Sequence, residues 1–383
     1  EQVATPARLT AMRTAIVSDL HLGAGTGEDI LRDPATRDLL LAEIAGADRL
    51  VLLGDVLELR DFPLGRVLAA AQPFFAALGE AMAGRRIVLV PGNHDHRLAE
   101  PLLEEVGLDG GTLGLEHRAL PSSGPLARIA SWLGDAELSV AYPGVWLRDD
   151  VYATHGHYMD CHMTLPRLEC LAAAAVMRRA GRPEDPATPA DYERILRPVY
   201  GLAFGLAESN LGNGSKRPSE RAWRAVAGRR DGNPALASAR RAAVGAAFPA
   251  GVWLLNRLLS AEFNADISAG AITRDGIVAA AELARRLRLD AAHVIAGHTH
   301  RAGPEVGEDE WTIPGGGRLH NTGSWVYADA LHHPGAPPGP YWPGTVTWLE
   351  EDGPPRRVKL LHDLPRAELR AAVARTAATA TRR

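Results

Sequence analysis

Short runs of valine, isoleucine and leucine recur along the chain, and each ends in a cluster of polar residues. Runs of this length, bounded by glycine and charged residues, are typical of strands that are buried on both faces. Longer stretches with helical spacing lie between them, so the chain is predicted to have a layered α/β fold with polar residues at the strand ends. The predicted strands are Thr14–Val17, Leu50–Leu53, Ile87–Val90 and His293–Ile295, and the predicted helices span 34–46, 65–83 and 276–288.

Two further pairs of apolar runs predict β-hairpins. Leu138–Ala141 and Gly144–Thr154 form the first pair, which leads into His155. Thr345–Glu350 and Arg357–Leu361 form the second, on either side of Asp352 and Gly353, which are typical turn residues.

Residues 158–270 differ from the rest because they contain many helical patterns and few strand patterns. We interpret this segment as a helical insertion, or lid, within a core formed by residues 12–157 and 271–365, and residues 366–383 as a C-terminal helix and tail. Breaks rich in glycine and proline separate the predicted helices of the insertion. These helices are Pro166–Arg179, Ala190–Leu211, Arg217–Ala227 and Leu236–Phe263.

The overall composition excludes several classes of protein. Of the 383 residues, 46% are hydrophobic and 23% are charged, and the net charge of −4 gives no basic bias towards nucleic acid. The longest uncharged apolar run, Ala242–Leu255, is shorter than the roughly 20 residues of a membrane span. Only two cysteines are present, and the first 30 residues lack a secretory pattern. We therefore expect a cytoplasmic protein, with membrane association as the alternative.

The insertion carries a local excess of positive charge. Nine basic and two acidic residues lie between Lys216 and Arg257, next to an apolar run. Such a segment suits a lid over a polyanionic, lipid-bearing substrate, or contact of residues 216–259 with an anionic membrane surface. The alternative is an arginine-rich solvated face on helices that pack against the core.

Residue types that bind metals follow five of the apolar runs. In an extended segment the side chains alternate, so the two ends of D-x-H or H-x-H point the same way. The mixture of oxygen and imidazole donors suits Mn, Fe or Zn. One ion cannot use so many donors, whereas two ions bridged by Asp55, which is alone in its segment, can. The donors are Asp19 and His21; Asp55; Asn93 and His94; His155 and His157; and His298 and His300.

In this order, the segments SDLHLG, GDVLE, GNHD, ATHGH and GHTH resemble the motifs of the calcineurin-like metallophosphoesterases. The resemblance covers residues 13–157 and 276–326, about half of the chain, and does not extend to the insertion. It implies a two-sheet β-sandwich flanked by helices, with a dinuclear metal centre at the strand ends.

The resemblance also implies a role for each donor. His94 would lie beside the leaving group, and Asp95 would orient His94. Two sets of three ligands and one shared carboxylate would hold the ions: Asp19, His21 and His300; Asn93, His155 and His298; and Asp55 as the bridge.

Two ions about 3.5–4 Å apart lower the pKa of a bridging water and polarise phosphoryl oxygens. We therefore expect in-line attack by hydroxide on a phosphoester or pyrophosphate bond, without a covalent enzyme intermediate. His94 would stabilise or protonate the leaving oxygen. The alternative for His94 is a structural role in supporting the loop that carries Asn93.

The layout is nearest to that of the UDP-2,3-diacylglucosamine pyrophosphatases, which also have a helical lid and a GHTHR segment, here residues 297–301. His94 stands where those enzymes carry arginine, and His157 stands where they carry aspartate. We expect His157 to brace the site, with a substrate contact or a proton donor as alternatives. The expected substrate is a phosphorylated small molecule or a lipid-linked phosphoester.

Three other functions compete with this interpretation. A nuclease is disfavoured because the segments around the metal motifs are acidic. A protein phosphatase is disfavoured because the insertion lies next to the site and would obstruct an open groove. A non-catalytic scaffold on the same fold is disfavoured because all seven ligand positions carry competent donors.

Overall fold

The structure is a computed structural model that describes residues 12–209, 248–309, 311–329, 332 and 337–381. The strands in these residues are β1 (Thr14–Val17), β2 (Arg49–Leu53), β3 (Arg86–Val90), β4 (Glu116–Ala119), β5 (Glu137–Arg148), β6 (Val151–Thr154), β7 (His293–Ala296), β8 (Arg318–Asn321), β9 (Thr345–Leu349) and β10 (Arg356–Lys359). The labelled α-helices are α1 (Pro34–Ile44), α2 (Leu64–Ala81), α3 (Glu100–Leu108), α4 (Gly124–Trp132), α5 (Leu168–Ala180), α6 (Pro189–Glu208), α7 (Ala269–Arg286) and α8 (Arg366–Thr381), and residues 248–259 form a further helical stretch. Three 3-10 turns span Ile30–Arg32, His96–Leu98 and His157–Cys161.

The strands of the described residues form one sheet in the order β10-β9-β1-β2-β3-β5-β6-β7-β8, with β4 paired to β5. β1, β2, β3 and β5 run parallel to one another, and β6, β7 and β8 form a second parallel set. β5 belongs to both halves of the sheet. Its residues up to Pro143 pair with β3 and β4, and those from Gly144 onwards pair with β6.

Alternate side chains of the strands pack into different layers. On β1, Ala15 and Val17 join the core beneath the helices, whereas Ile16 lies on the inner face of the sheet with Ala153 and Ile295. All members of this inner cluster lie on strands and are buried, so the curled sheet covers its inner face with its own two halves. The prediction of an α/β fold with a sheet sandwich flanked by helices is confirmed, and β5 makes the two sheets continuous.

Two of the predicted insertion helices are present as α5 and α6, and residues 248–259 are also helical. The predicted helix Arg217–Ala227 and the first part of Leu236–Phe263 lie outside the described residues. None of the helices that the structure describes is long and apolar enough to cross a bilayer. The domain boundaries drawn from the sequence stay a prediction.

One predicted hairpin is confirmed and the other is wrong. β9 and β10 pair in antiparallel fashion around Asp352 and Gly353, as predicted. The break predicted between Ala141 and Gly144 does not occur, because β5 continues through Pro143 and turns into β6 only after Arg148. Proline is tolerated here because β5 ends its pairing with β4 at Pro143 and begins its pairing with β6 at Gly144, so no continuous ladder is interrupted.

Candidate metal centre

The predicted metal donors all lie in loops that directly follow parallel strands. Because the carboxyl ends of parallel strands meet at one edge of a sheet, residues far apart in sequence are brought together there. His94 and His300 are partly exposed, with 15% and 29% of their side chains accessible, and the other donors are buried. The loops after β1, β2, β3, β6 and β7 supply Asp19 and His21; Asp55; Asn93 and His94; His155; and His298 and His300.

The backbone at these donors adopts a conformation that side chains rarely accept. Positive φ angles are uncommon outside glycine and cluster at functional sites, where the surroundings hold them in place. The structure describes seven such non-glycine residues, and five of them are predicted ligands. These five are Asp19, His21, Asp55, His298 and His300, with φ angles between 48° and 68°.

The first ligand set forms one side of the centre. His300 Nε2 lies 3.3 Å from Asp19 Oδ1 and 3.1 Å from His21 Nε2. His21 Nε2 is also 3.6 Å from Asp55 Oδ2. Asp19 is fixed by the backbone N–H of His298, which donates to both of its carboxylate oxygens at 3.2 and 3.1 Å.

The second ligand set lies on the other side of Asp55. His155 Nε2 is 3.2 Å from Asp55 Oδ2 and 3.1 Å from Asn93 Oδ1. His298 Nδ1 is 3.2 Å from the same amide oxygen. Asp55 therefore contacts both sets, which is the position expected of a bridging carboxylate.

The hydrogen bonds behind the histidines direct their lone pairs into the centre. His155 Nδ1 faces the Leu53 carbonyl at 3.0 Å, and His21 Nδ1 faces Glu58 at 3.0 Å. His298 Nε2 faces Asp160 at 2.9 Å. Each of these partners accepts a hydrogen bond, so the outward nitrogen carries a proton and the inward nitrogen can offer its lone pair to a metal ion when it is deprotonated.

Converging lone pairs of this kind repel one another unless a cation lies between them. Rotating the Asn93 amide would turn its nitrogen towards His155 and His298 and bring its oxygen 2.9 Å from Arg60 Nη2. A cation bound at this position favours the orientation observed, with the oxygen directed inwards. The donor set therefore fits metal ions with nitrogen and oxygen ligands, such as Mn, Fe or Zn.

The buried charges also shift the pKa values of the donors. Burial alone would lower the pKa of His155, but the negative charge of Asp55 acts in the opposite direction, and this pKa is raised to about 10. Burial likewise opposes ionisation of Asp55, but His155 and His94 hold the pKa of its carboxyl well below the usual range. The carboxylates are thus ionised at neutral pH, and metal ions compete with protons for the histidine nitrogens.

Glu58, rather than Asp95, orients His94. His94 Nδ1 lies 2.8 Å from the Glu58 carboxylate, which also holds His21. Asp95 instead accepts hydrogen bonds from the backbone amides of Val56 and Leu57 at 2.8 and 3.2 Å and from Gly92 at 2.7 Å. The expectation that Asp95 orients His94 is therefore wrong, because its carboxylate is used in holding two metal loops together.

Replacing Glu58 by glutamine is expected to lower kcat about 10–100-fold, the range typical of partners behind metal ligands. The glutamine amide has no negative charge and only one oxygen, so it cannot accept hydrogen bonds from His21 and His94 as the carboxylate does. Both imidazole rings therefore lose their fixed orientation. Steady-state kinetics and metal content would measure the effect. Glu80→Gln on the surface of α2 is the matched control, and equal kinetics of the two variants would contradict the assigned role.

Family comparison agrees with this geometry. Residues 12–191, just under half of the chain, match the calcineurin-like phosphoesterase family. The match supports a phosphoesterase hydrolase. It contains every donor except His298 and His300, which the fold brings to within 3.3 Å of the matched donors.

Two solved structures show low overall similarity to the chain. One is a cold-active protein-tyrosine phosphatase of a psychrophilic Shewanella species, with 13% identity, a TM-score of 0.26 and coverage of 90% of this chain and 80% of the other. The other is a dimetal phosphatase from Danio rerio, with 9% identity, a TM-score of 0.29 and coverage of 91% and 99%. No curated protein matches this chain.

Several residues of this phosphoesterase site have no signal in the sequence motifs. Asp160, five positions after His155, holds His298. Arg60 is five positions after Asp55. Its Nη1 atom is 3.3 Å from His94 Nε2 and 3.0 Å from the carboxylate of Glu169 on α5. Their roles depend on contacts between the phosphoesterase core and the insertion, which strand-end patterns do not predict.

A buried polar cluster joins α6 to the loops that carry the donors. Glu193 on α6 lies 2.9 Å from His96 Nε2 and accepts from the hydroxyl groups of Tyr158, at 2.7 Å, and Tyr142. His157 Nε2 lies 3.1 Å from the Tyr142 hydroxyl. His157 is thus buried behind the donors rather than among them, which is the placement of a brace. The insertion therefore forms a fixed wall of the site where α6 contacts it.

Glu193→Gln is expected to destabilise the protein by roughly 1–3 kcal/mol at neutral pH, because a charged acceptor of three donors is lost. Burial opposes ionisation of Glu193, but His96 and the two tyrosine hydroxyl groups lower its pKa below the usual value of 4.5. A carboxyl with a lowered pKa stabilises the fold above its unfolded-state pKa and loses this contribution as the pH falls.

The difference in unfolding free energy between wild type and Glu193→Gln should therefore shrink as the pH is lowered below about 4.5. Urea unfolding followed by circular dichroism over this range would measure it. Glu184→Gln, in an exposed loop of the insertion, is the control. A pH-independent difference would contradict the prediction.

Proposed function

We propose that this protein is a metal-dependent phosphohydrolase that uses two ions, Mn, Fe or Zn, to cleave a phosphoester or pyrophosphate bond. The observation that carries the proposal is the convergence of two ligand sets on Asp55, with histidine lone pairs directed inwards. The match of residues 12–191 to the calcineurin-like phosphoesterases supports the same chemistry.

Two ions held there would supply a positively charged, Lewis-acidic surface for the phosphoryl group and lower the pKa of water. The residues of the chain divide the remaining tasks. Asp19, His21 and His300 would hold one ion, and Asp55 would tie it to the other, which is held by the second set. Asp160 and the Leu53 carbonyl fix the ring orientations from behind.

His94 and Arg60 would serve the leaving-group side. His94 Nδ1 donates to Glu58, so its Nε2 accepts from Arg60 in the resting protein. Burial, and then the positive charge of Arg60, lower the pKa of His94 to about 4. The histidine is therefore neutral at neutral pH, and the permanent positive charge at this end of the site belongs to Arg60.

The function is tested by removing metals from the full-length protein and reloading it separately with Mn²⁺, Fe²⁺ and Zn²⁺. Each form is assayed with p-nitrophenyl phosphate, bis(p-nitrophenyl) phosphate and UDP-glucose, which represent a monoester, a diester and a pyrophosphate. Turnover that depends on metal with any of them supports the proposal. Absence of turnover with all three, with every metal, would overturn it and favour a non-catalytic scaffold.

Membrane association is a second, separate proposal about where the enzyme acts. The helical residues 248–259 expose Trp253 (62%), Leu254 and Leu258 to solvent, as an interfacial helix would. Arg257 provides a positive charge beside them. Residues 216–247, which carry the other basic residues of the segment, lie outside the described residues. Docking here would bring lipid-linked phosphoesters to the site.

Co-sedimentation with vesicles containing phosphatidylglycerol tests this proposal. The wild type should bind more strongly than Trp253→Ser, because the indole ring is well suited to the membrane interface. Leu39→Ser is the matched control, because Leu39 is also a large exposed hydrophobic residue but lies on α1, outside residues 216–259. Equal sedimentation of wild type and Trp253→Ser would overturn membrane docking without affecting the proposed hydrolysis.

A further inference from the structure

A cavity of about 170 Å³ opens beside His94, between the metal loops and the insertion. Asn93, His94 and Arg60 form part of its wall, so the cavity adjoins the candidate metal centre at His94. The remaining lining residues are Leu59, His96, Arg97, Glu100, Tyr200, Gly201 and Phe204.

The size and walls of this cavity suit one planar ring. A cavity of about 150 Å³ is large enough to hold benzene. The rings of Tyr200 and Phe204 line the side that α6 supplies, and each has an arginine over its face, Arg60 and Arg97, with 5.5 Å between guanidinium carbon and ring centroid. Tyr200 has a buried hydroxyl group without a hydrogen-bond partner among the described residues.

The charged residues of the cavity wall differ in whether a carboxylate or guanidinium pairs with them. Arg60 is paired with Glu169, and Glu100 is paired with Arg197. Arg97 is exposed, and no carboxylate pairs with it in the part of the chain that the structure describes. Among the described residues, Arg97 is therefore a cation in the cavity wall without a carboxylate partner.

We propose that this cavity is the leaving-group subsite and that it selects a phosphoester whose leaving group is a planar ring with an anionic substituent. The ring would lie against Tyr200 and Phe204, and Arg97 would bind the anionic substituent. This inference rests on the proposed phosphohydrolase function and names the substrate class of the same site.

Three phosphomonoesters test the subsite on the metal-loaded, full-length protein. 4-(Carboxymethyl)phenyl phosphate and 4-methylphenyl phosphate have leaving groups of similar basicity and differ in the remote charge. β-Glycerophosphate lacks the ring. We expect kcat/KM to fall in that order, with a preference of about tenfold or more for the carboxymethyl compound, as for one charge-assisted hydrogen bond.

Arg97→Gln should abolish the preference, so that kcat/KM for the carboxymethyl compound falls to the value that the same variant shows with 4-methylphenyl phosphate. Phe204→Leu should raise KM for both aryl phosphates but not for β-glycerophosphate. Arg194→Gln and Leu202→Ala, exposed changes on α6 that do not line the cavity, are the matched controls. A preference that survives in Arg97→Gln, or no preference in the wild type, overturns the inference.

Binding distinguishes a failure of this inference from a failure of the proposed function. Calorimetry would compare 4-(carboxymethyl)benzylphosphonate with 4-methylbenzylphosphonate, neither of which can be hydrolysed at a P–O–aryl bond. Tighter binding of the first, lost in Arg97→Gln, supports the subsite even if no substrate turns over. Equal binding of the two phosphonates overturns the subsite even if hydrolysis is efficient.

Discussion

Asp55→Asn is expected to lower metal-dependent hydrolysis by more than ~10³-fold, well beyond the 10–100-fold effects of residues behind a metal ligand. Asp55 Oδ2 lies 3.2 Å from His155 Nε2 and 3.6 Å from His21 Nε2, so one oxygen faces both ligand sets. An amide at this position removes the negative charge that two cations share. In the wild type, the other carboxylate oxygen of Asp55, Oδ1, accepts a hydrogen bond from the backbone N–H of His94 at 2.7 Å.

Activity and bound metal per chain should both be measured for this variant. We expect fewer than two ions per chain, because the two ligand sets lose their common member. The isosteric control is Asp150→Asn, an exposed carboxylate paired with Arg148. A variant Asp55→Asn that retains two ions and wild-type turnover would contradict the bridging role and with it the dinuclear centre.

The convergence of the proposed metal ligands could be predicted from the sequence because each follows a short apolar strand. Asp19, Asp55 and His298 each lie two residues after the end of β1, β2 and β7, and parallel strands bring such residues to one edge of a sheet. The local spacing of apolar and polar residues was sufficient to locate these donors. It did not predict the course of the chain at Pro143, where proline favoured a break but β5 remains extended and exchanges β4 for β6.

The residues behind the ligands depend on contacts that the motifs do not encode. Asp95 follows His94 directly, and adjacency favoured it as the orienting carboxylate. The backbone turns its side chain towards the amides of Val56 and Leu57, and Glu58, from another loop, reaches His94 instead. Glu193 acts from still farther away, on a helix that packs beneath the loop after β3.

The centre also depends on space that only glycine leaves. Gly92 precedes Asn93, and a Cβ added to it would lie 2.4 Å from Asp55 Oδ1, 2.6 Å from His155 Cδ2 and 2.7 Å from the Asp55 backbone nitrogen. These atoms belong to both the bridge and a ligand of the second set. Neither side chain can move away freely, because the backbone N–H of His94 holds Asp55 and the carbonyl of Leu53 holds His155.

Gly92→Ala is therefore expected to lower kcat by more than about 10²-fold, since a displacement near 1 Å costs this much in a positioned active site. The variant should also bind less metal, because the loop after β3 must move away from Asp55 to accommodate the methyl group. Gly65→Ala near the start of α2, where an added Cβ meets nothing within 4 Å, is the matched control. If Gly92→Ala keeps the kcat and metal content of Gly65→Ala, the close approach of these loops does not determine the geometry of the centre.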